Sequence, residues 1–157
     1  MPPPKGATVP RIVREATSSW EGDLARGSGR ITATTSGAFA DLAFSFPTRI
    51  GTSDGRTSPE ELLAAAHAGC FAMSLGNELS QAGATPTRLA VRCAITLDEV
   101  PGEGHRIVDS QLEVRADAPA ADDAALSAAV VAADEGCPFS ALLRAAGADV
   151  TVTAERA

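Results

Sequence analysis

Few side chains in this 157-residue chain could do chemistry beyond ordinary salt bridges: three cysteines, Cys70, Cys93 and Cys137, and two histidines, His67 and His105. Cys70 sits in an uncharged run, Leu62 to Leu75, whose only polar side chains are His67 and Ser74. Burial there raises a thiol pKa, so by itself Cys70 reads as an inert small hydrophobe. Cys137 stands between Gly136 and Pro138 at the start of an expected helix, where backbone N–H groups and the helix dipole favour a thiolate. It reads equally as a plain cap in a loop. One buried thiol and one at a helix start suggest an attacking and a resolving pair, although spacing alone does not bring them together. Cys93 lies on the inward face of an alternating strand and reads as core. His67, one helical turn before Cys70, reads as a buried, hydrogen-bonded structural histidine ahead of a catalytic base. His105 falls in a polar turn with no evident partner. There is no C-x-x-C and no cluster of ligands, so no metal site is expected.

The element that must position Cys70 is the stretch Thr57 to Ala82. Ser58 at the N-cap, Pro59 at the first helical position and Glu61 three residues after Ser58 form a helix-start signal. Gly83 closes the helix. A helix apolar on all sides is expected to be buried on all sides, and this run falls short of the roughly 20 apolar residues that span a bilayer. Glu60 precedes Cys70 by ten residues, about 15 Å along the axis. It therefore cannot act on the cysteine of its own helix, but it could do so between two antiparallel copies.

Around that helix, Arg11 to Trp20, Arg30 to Thr35 and Phe39 to Phe46 read as an antiparallel meander with short turns. Residues 47–57 read as a polar loop. Beyond Gly83, Leu89, Val91, Cys93, Ile95 and Leu97 alternate with other residues as in a half-buried strand, and Arg106 to Ala116 returns from a turn at Pro101 to Gly104. Asp122 to Glu135 predicts an Ala-rich helix with acidic residues at its N-terminus. A short helix from Cys137-Pro138 to Ala145 and a last strand, Val150 to Thr153, complete an α+β order of β-β-β-α-β-β-α-α-β. Residues 1–10 read as a flexible tail and 11–157 as a single domain. One small sheet covers only one side of an apolar helix, so a homodimer is the economical way to cover the other.

The composition is 45% hydrophobic with only six aromatic residues, so Ala, Leu and Val must fill the core. A net charge of −7 argues against a nucleic-acid or anionic-membrane partner. MPPPKGATVP has no apolar signal region, so a cytoplasmic location is expected, where free thiols are the default.

Taken together, WEGDLARGSGRITATTSG from Trp20, PTRIG from Pro47, TSPEELLAAAHAGCFAMSL from Thr57 and GCPFSALL from Gly136 resemble the osmotically inducible protein C and organic hydroperoxide resistance (OsmC/Ohr) family, in particular its OsmC branch. The resemblance implies an OsmC-like two-layer fold, an intertwined homodimer with long central helices buried between sheets. It also implies a cysteine-based peroxidase of the oxidative stress response, reducing organic hydroperoxides and in some members hydrogen peroxide, without a cofactor. By motif position, Cys70 matches the peroxidatic cysteine, Cys137 the resolving cysteine, and Glu60 the acidic partner of a catalytic arginine. That arginine is assigned first to Arg49 in PTRIG, with Arg26 in ARGSG as the competitor. The thiolate would attack the distal peroxide oxygen, leaving a sulfenic acid that Cys137 converts to a disulfide. A dithiol reductant, lipoyl-type or other, would restore the pair. Leu63, Phe71 and Met73 would form an apolar wall for an alkyl hydroperoxide. The competing reading is a non-catalytic dimer that binds an apolar ligand in the same pocket.

Overall fold

The computed structural model describes residues 10–157; the tail expected over residues 1–10 lies outside them except for Pro10. Among the described residues the fold is α+β, with two three-stranded sheets and four helices. The chain divides into two compact units, the first ending at Pro59 and the second running from Glu60 to Ala157.

In the first unit, β1 (Ala16–Glu21), β2 (Ser28–Ala33) and β3 (Leu42–Phe44) form an antiparallel meander in that order. β1 and β3 are shorter than the sequence patterns predict, and β2 has the predicted length but starts two residues earlier. Gly29 in β2 is needed for close approach, because a Cβ there would overlap the Phe44 ring and the carbonyl of Ser19. That lets Phe44 reach Trp20, with ring centroids 5.6 Å apart. The segment expected to be a polar loop contains a short helix, α1 (Phe46–Ile50). Pro47 breaks helices only from their interiors; in the first turn its missing N–H costs nothing. The Ser45 side chain caps this turn by accepting from the Thr48 N–H at 3.3 Å.

The second unit begins with α2 (Pro59–Gln81). Gly83, at φ +78°, ends it in a Schellman turn: its N–H donates to Ser80 C=O at 3.1 Å, and the Ala84 N–H donates to Leu79 C=O at 2.8 Å. Next come a long antiparallel hairpin of β4 (Arg88–Val100) and β5 (Gly104–Asp117), then α3 (Asp123–Gly136), α4 (Pro138–Ala145) and β6 (Asp149–Arg156). β6 pairs in parallel with β5. Such pairing needs a long crossover, and α3 and α4 supply it. Asp122 caps α3, its side chain accepting from the Ala125 N–H at 2.8 Å.

β5 alternates strictly: Ser110, Leu112, Val114 and Ala116 are buried, whereas Gln111, Glu113 and Arg115 are exposed. One face of this sheet is therefore wet, and the other packs with α2 and α3 into a core of Phe71, Leu75, Leu79, Leu112, Val114 and Leu126. Within one copy of the chain the burial of α2 is one-sided. Only His67, Phe71, Leu75 and Leu79, four residues apart, are buried. Within this chain the opposite side is uncovered, with Gly69, Met73 and Asn77 exposed and Met73 at 73%. A single sheet can bury only one face of a helix. Among the described residues, no single helix is long and apolar enough to cross a membrane.

Candidate active site

Two helix ends converge on Cys70. It lies on α2 just off the buried stripe and is half-buried, not in the deepest part of the fold as its apolar surroundings suggested. Cys137 is the deeper thiol, with no exposed surface. It ends α3 and begins α4, whose axes differ by 61°. Pro138 explains the bend, since the residue before a proline is driven to extended backbone, and Cys137 is at φ −79°, ψ 115°. Its N–H donates to Asp134 C=O at 3.3 Å and its C=O accepts from the Ala141 N–H at 3.1 Å. The two Sγ atoms stand 3.6 Å apart, although the residues are 67 positions apart in the chain. They would need to close by about 1.5 Å to reach the ~2.05 Å of a disulfide. That is within the reach of side-chain rotation.

The start of α4 was expected to act on its own cysteine. In the structure, Cys137 makes no side-chain cap hydrogen bond. The Phe139 backbone N–H instead favours the thiolate of Cys70. Burial pushes the Cys70 thiol up, and the adjacent Cys137 thiol adds to the rise, while the Phe139 N–H pulls it back by stabilising the thiolate. The start of α4 thus acts on the cysteine of the facing helix.

Beside the thiol pair lies a buried polar chain around His67, which is the buried, hydrogen-bonded histidine the sequence suggested, with serine partners it did not indicate. His67 Nδ1 is 2.8 Å from Ser110 Oγ, and His67 Nε2 is 2.9 Å from Ser140 Oγ. All three residues are fully buried. Desolvation lowers the His67 pKa, opposed by the charge of Asp134 and aided by that of Arg144, so the ring is held neutral. A neutral imidazole donates from one nitrogen and accepts at the other, and a serine can take either part. Cys93 joins the chain, its Sγ 3.4 Å from Ser110 Oγ and 3.9 Å from His67 Nδ1. Burial raises its thiol pKa, partly offset by the Ser110 hydroxyl.

The remaining expected residues fall as follows. Leu63 is half-buried and Met73 exposed, whereas Phe71 is taken up wholly by the core. Glu60 is in the first turn of α2. Arg26 is an exposed turn residue whose N–H donates to Asp23 Oδ1 at 2.8 Å. Arg49, in the last turn of α1, lines a cavity of about 180 Å³ in the first unit with Trp20, Leu24, Phe44, Phe46 and Pro59. This is an apolar hollow with one cation at its wall. Among the described residues, no group of three or more His, Cys, Asp or Glu is placed to hold a metal ion.

The family model for OsmC-like proteins matches residues 51–153. Peroxiredoxin OsmC of Escherichia coli (strain K12) is 37% identical over 134 residues, which is 85% of this chain and 92% of the relative. The organic hydroperoxide resistance protein OhrB of Bacillus subtilis is 25% identical with a TM-score of 0.66, covering 91% of this chain and 98% of that one. An organic hydroperoxide resistance protein OsmC from Legionella pneumophila shares the fold at a TM-score of 0.71 and 21% identity, covering 92% of this chain and 99% of that chain.

Proposed function

The chain belongs to the OsmC family, and on that footing we propose that it reduces organic hydroperoxides to alcohols through Cys70 and Cys137. A peroxidase-type oxidoreductase role follows from relatives named as a peroxiredoxin and as organic hydroperoxide resistance proteins. The observation that most supports a two-thiol mechanism is the 3.6 Å separation of the two sulfurs.

In this reading the Cys70 thiolate attacks the distal peroxide oxygen. The O–O bond breaks, the alkoxide leaves as an alcohol after taking up a proton, and Cys70 becomes a sulfenic acid. The Cys137 thiolate then attacks the Cys70 sulfur, the S–O bond breaks, and the departing hydroxide takes up a proton to leave as water, giving a disulfide. Two electrons from a dithiol, lipoyl-type or other, restore both thiols. The Phe139 N–H supplies part of the thiolate stabilisation, but burial still holds the Cys70 thiol above its ordinary pKa, so a cation is required. Arg49 is assigned that part, with Arg26 as the alternative and Glu60 of a second copy orienting the guanidinium. Dimerisation would cover the exposed side of α2, where Met73 is 73% accessible. Leu63 and Met73 would then face the alkyl body of the substrate, with Phe71 supporting them from the core.

The test is a set of single substitutions assayed with an alkyl hydroperoxide and with hydrogen peroxide. Cys70→Ser should abolish consumption of both. Cys137→Ser should allow a first turnover and leave a sulfenic acid that dimedone traps. Unchanged activity in Cys70→Ser would refute the mechanism. A greater loss in Arg26→Ala than in Arg49→Ala would reverse the assignment of the cation.

A further inference from the structure

We propose that His67 is a positioning residue: through Ser140 it holds the first turn of α4 against α2 and so sets the distance between Cys137 and Cys70. The proposal concerns the geometry of the thiol pair and rests on the proposed function only for its catalytic consequence.

The two helices touch at two places with matched spacing. His67 and Cys70 are three residues apart on α2, and Cys137 and Ser140 are three residues apart across the start of α4. His67 meets Ser140 at 2.9 Å and Cys70 meets Cys137 at 3.6 Å, so the local pairing is antiparallel and each contact lies about one turn from the other. Phe139 lies between Cys137 and Ser140 in sequence, and its backbone N–H favours the Cys70 thiolate. Of the two, only the imidazole–hydroxyl contact is a short, directional hydrogen bond. A thiol–thiol contact at 3.6 Å is too weak to fix a helix end.

His67 is itself anchored from the other side by Ser110 on β5 at 2.8 Å. The ring therefore spans from the sheet to α4, inside a site with no exposed surface at any of the three residues. Phe139 adds a non-directional apolar contact with the core in the same turn, and the other ties on α4 act beyond Ser140. Leu143 is buried, and Arg144 binds the Asp134 carboxylate and the Val150 carbonyl at the far end of the helix. The bend at Cys137 leaves the first turn dependent on what holds it laterally, and His67 is the polar group that does so.

The test uses the full chain equilibrated in glutathione redox buffers, with the Cys70–Cys137 disulfide quantified by peptide mapping. Ser140→Ala should lower the equilibrium constant for that disulfide by about tenfold, a potential about 30 mV less negative. Ser110→Ala is the control. It also leaves one imidazole nitrogen without its serine but does not touch α4, so its constant should stay within about twofold of the parent, less than 10 mV. Equal shifts in the two variants, or none in Ser140→Ala, would overturn the proposal. If Ser140→Ala does not fold, Ser140→Thr and Ser140→Val form an isosteric pair that differs only in the hydroxyl. The threonine variant should then hold the disulfide about tenfold more firmly than the valine variant, and equal constants would count against His67. Hydroperoxide turnover plays no part in this titration. A chain that shows the shift but ignores hydroperoxides would refute the peroxidase mechanism alone, and one that turns over hydroperoxides with no shift would refute the positioning role alone.

Discussion

Replacing His67 with leucine should destabilise the second unit by about 2–3 kcal/mol, and the figure can be worked from the contacts it removes. The leucine roughly keeps the buried volume and adds apolar surface, so the loss is not one of packing. Removing the imidazole ends the hydrogen bonds at 2.8 Å and 2.9 Å and strands two serine hydroxyls in a site without solvent. Each stranded buried group costs about 1–3 kcal/mol. Both have a fallback that places them at the low end of that range. Ser110 retains the Cys93 sulfur at 3.4 Å, and Ser140, inside a helix, can turn to a carbonyl of the preceding turn. Urea unfolding under reducing conditions, at one fixed protein concentration so that association does not contribute, reads the change. The same physics requires that His67→Leu combined with Ser110→Ala and Ser140→Ala recover most of the loss, to within about 1 kcal/mol of the parent, because only the weakly polar Cys93 thiol is then left without its partners. A single-variant cost below about 0.5 kcal/mol, or a triple variant less stable than His67→Leu, would refute the reasoning.

Further outcomes follow from the same contacts. Burial lowers the His67 pKa from its ordinary value near 6.5, so below about pH 6.5 the unfolded chain binds more protons than the folded one. Stability should therefore be complete above about pH 6.5 and decline as pH falls beneath it, and His67→Gln should flatten that decline in urea titrations at successive pH values. Cys70 and Cys93 are raised, so the folded state keeps its protons longer and stability should fall as pH rises above about 8.5, less steeply in Cys93→Ala. Gly29→Ala would drive a methyl group into the Phe44 ring and cost about 1–3 kcal/mol in the first unit. Trp20, the sole tryptophan, packs on that ring and should report the change as a red-shifted emission, whereas an unchanged spectrum and midpoint would mean that the sheet accommodates the methyl.

What the sequence could convey depended on whether a residue's environment repeats along the chain. β4 was legible because Leu89, Val91, Cys93 and Ile95 alternate as a half-buried strand requires, and the α2 start and stop were legible from Pro59 and Gly83. The short α1 was not, because Phe46-Pro47 resembles a loop until the Ser45 cap is seen. Composition marked α2 as apolar on all sides but did not show which side this chain's own sheet covers, the side of His67, Phe71, Leu75 and Leu79. In the site, Cys70 and Cys137 stood out by residue type and family motif. Their approach to 3.6 Å depends on a 61° bend, which Pro138 hints at but does not quantify. The Phe139 N–H is a backbone group and leaves no mark on residue identity. Ser110 and Ser140 come from a strand and a helix 30 residues apart, each in a setting where serine is unremarked. The spacing of Ser140 three residues after Cys137, matching that of His67 three before Cys70, was the one signal available.

The decisive measurement is a count of free thiols on the reduced chain, with its three cysteines, before and after one equivalent of cumene hydroperoxide, followed by mapping of any disulfide. Loss of two thiols per chain, with Cys70 joined to Cys137 and Cys93 still free, is the expected result. Retention of all three thiols, or a disulfide that involves Cys93, would contradict it.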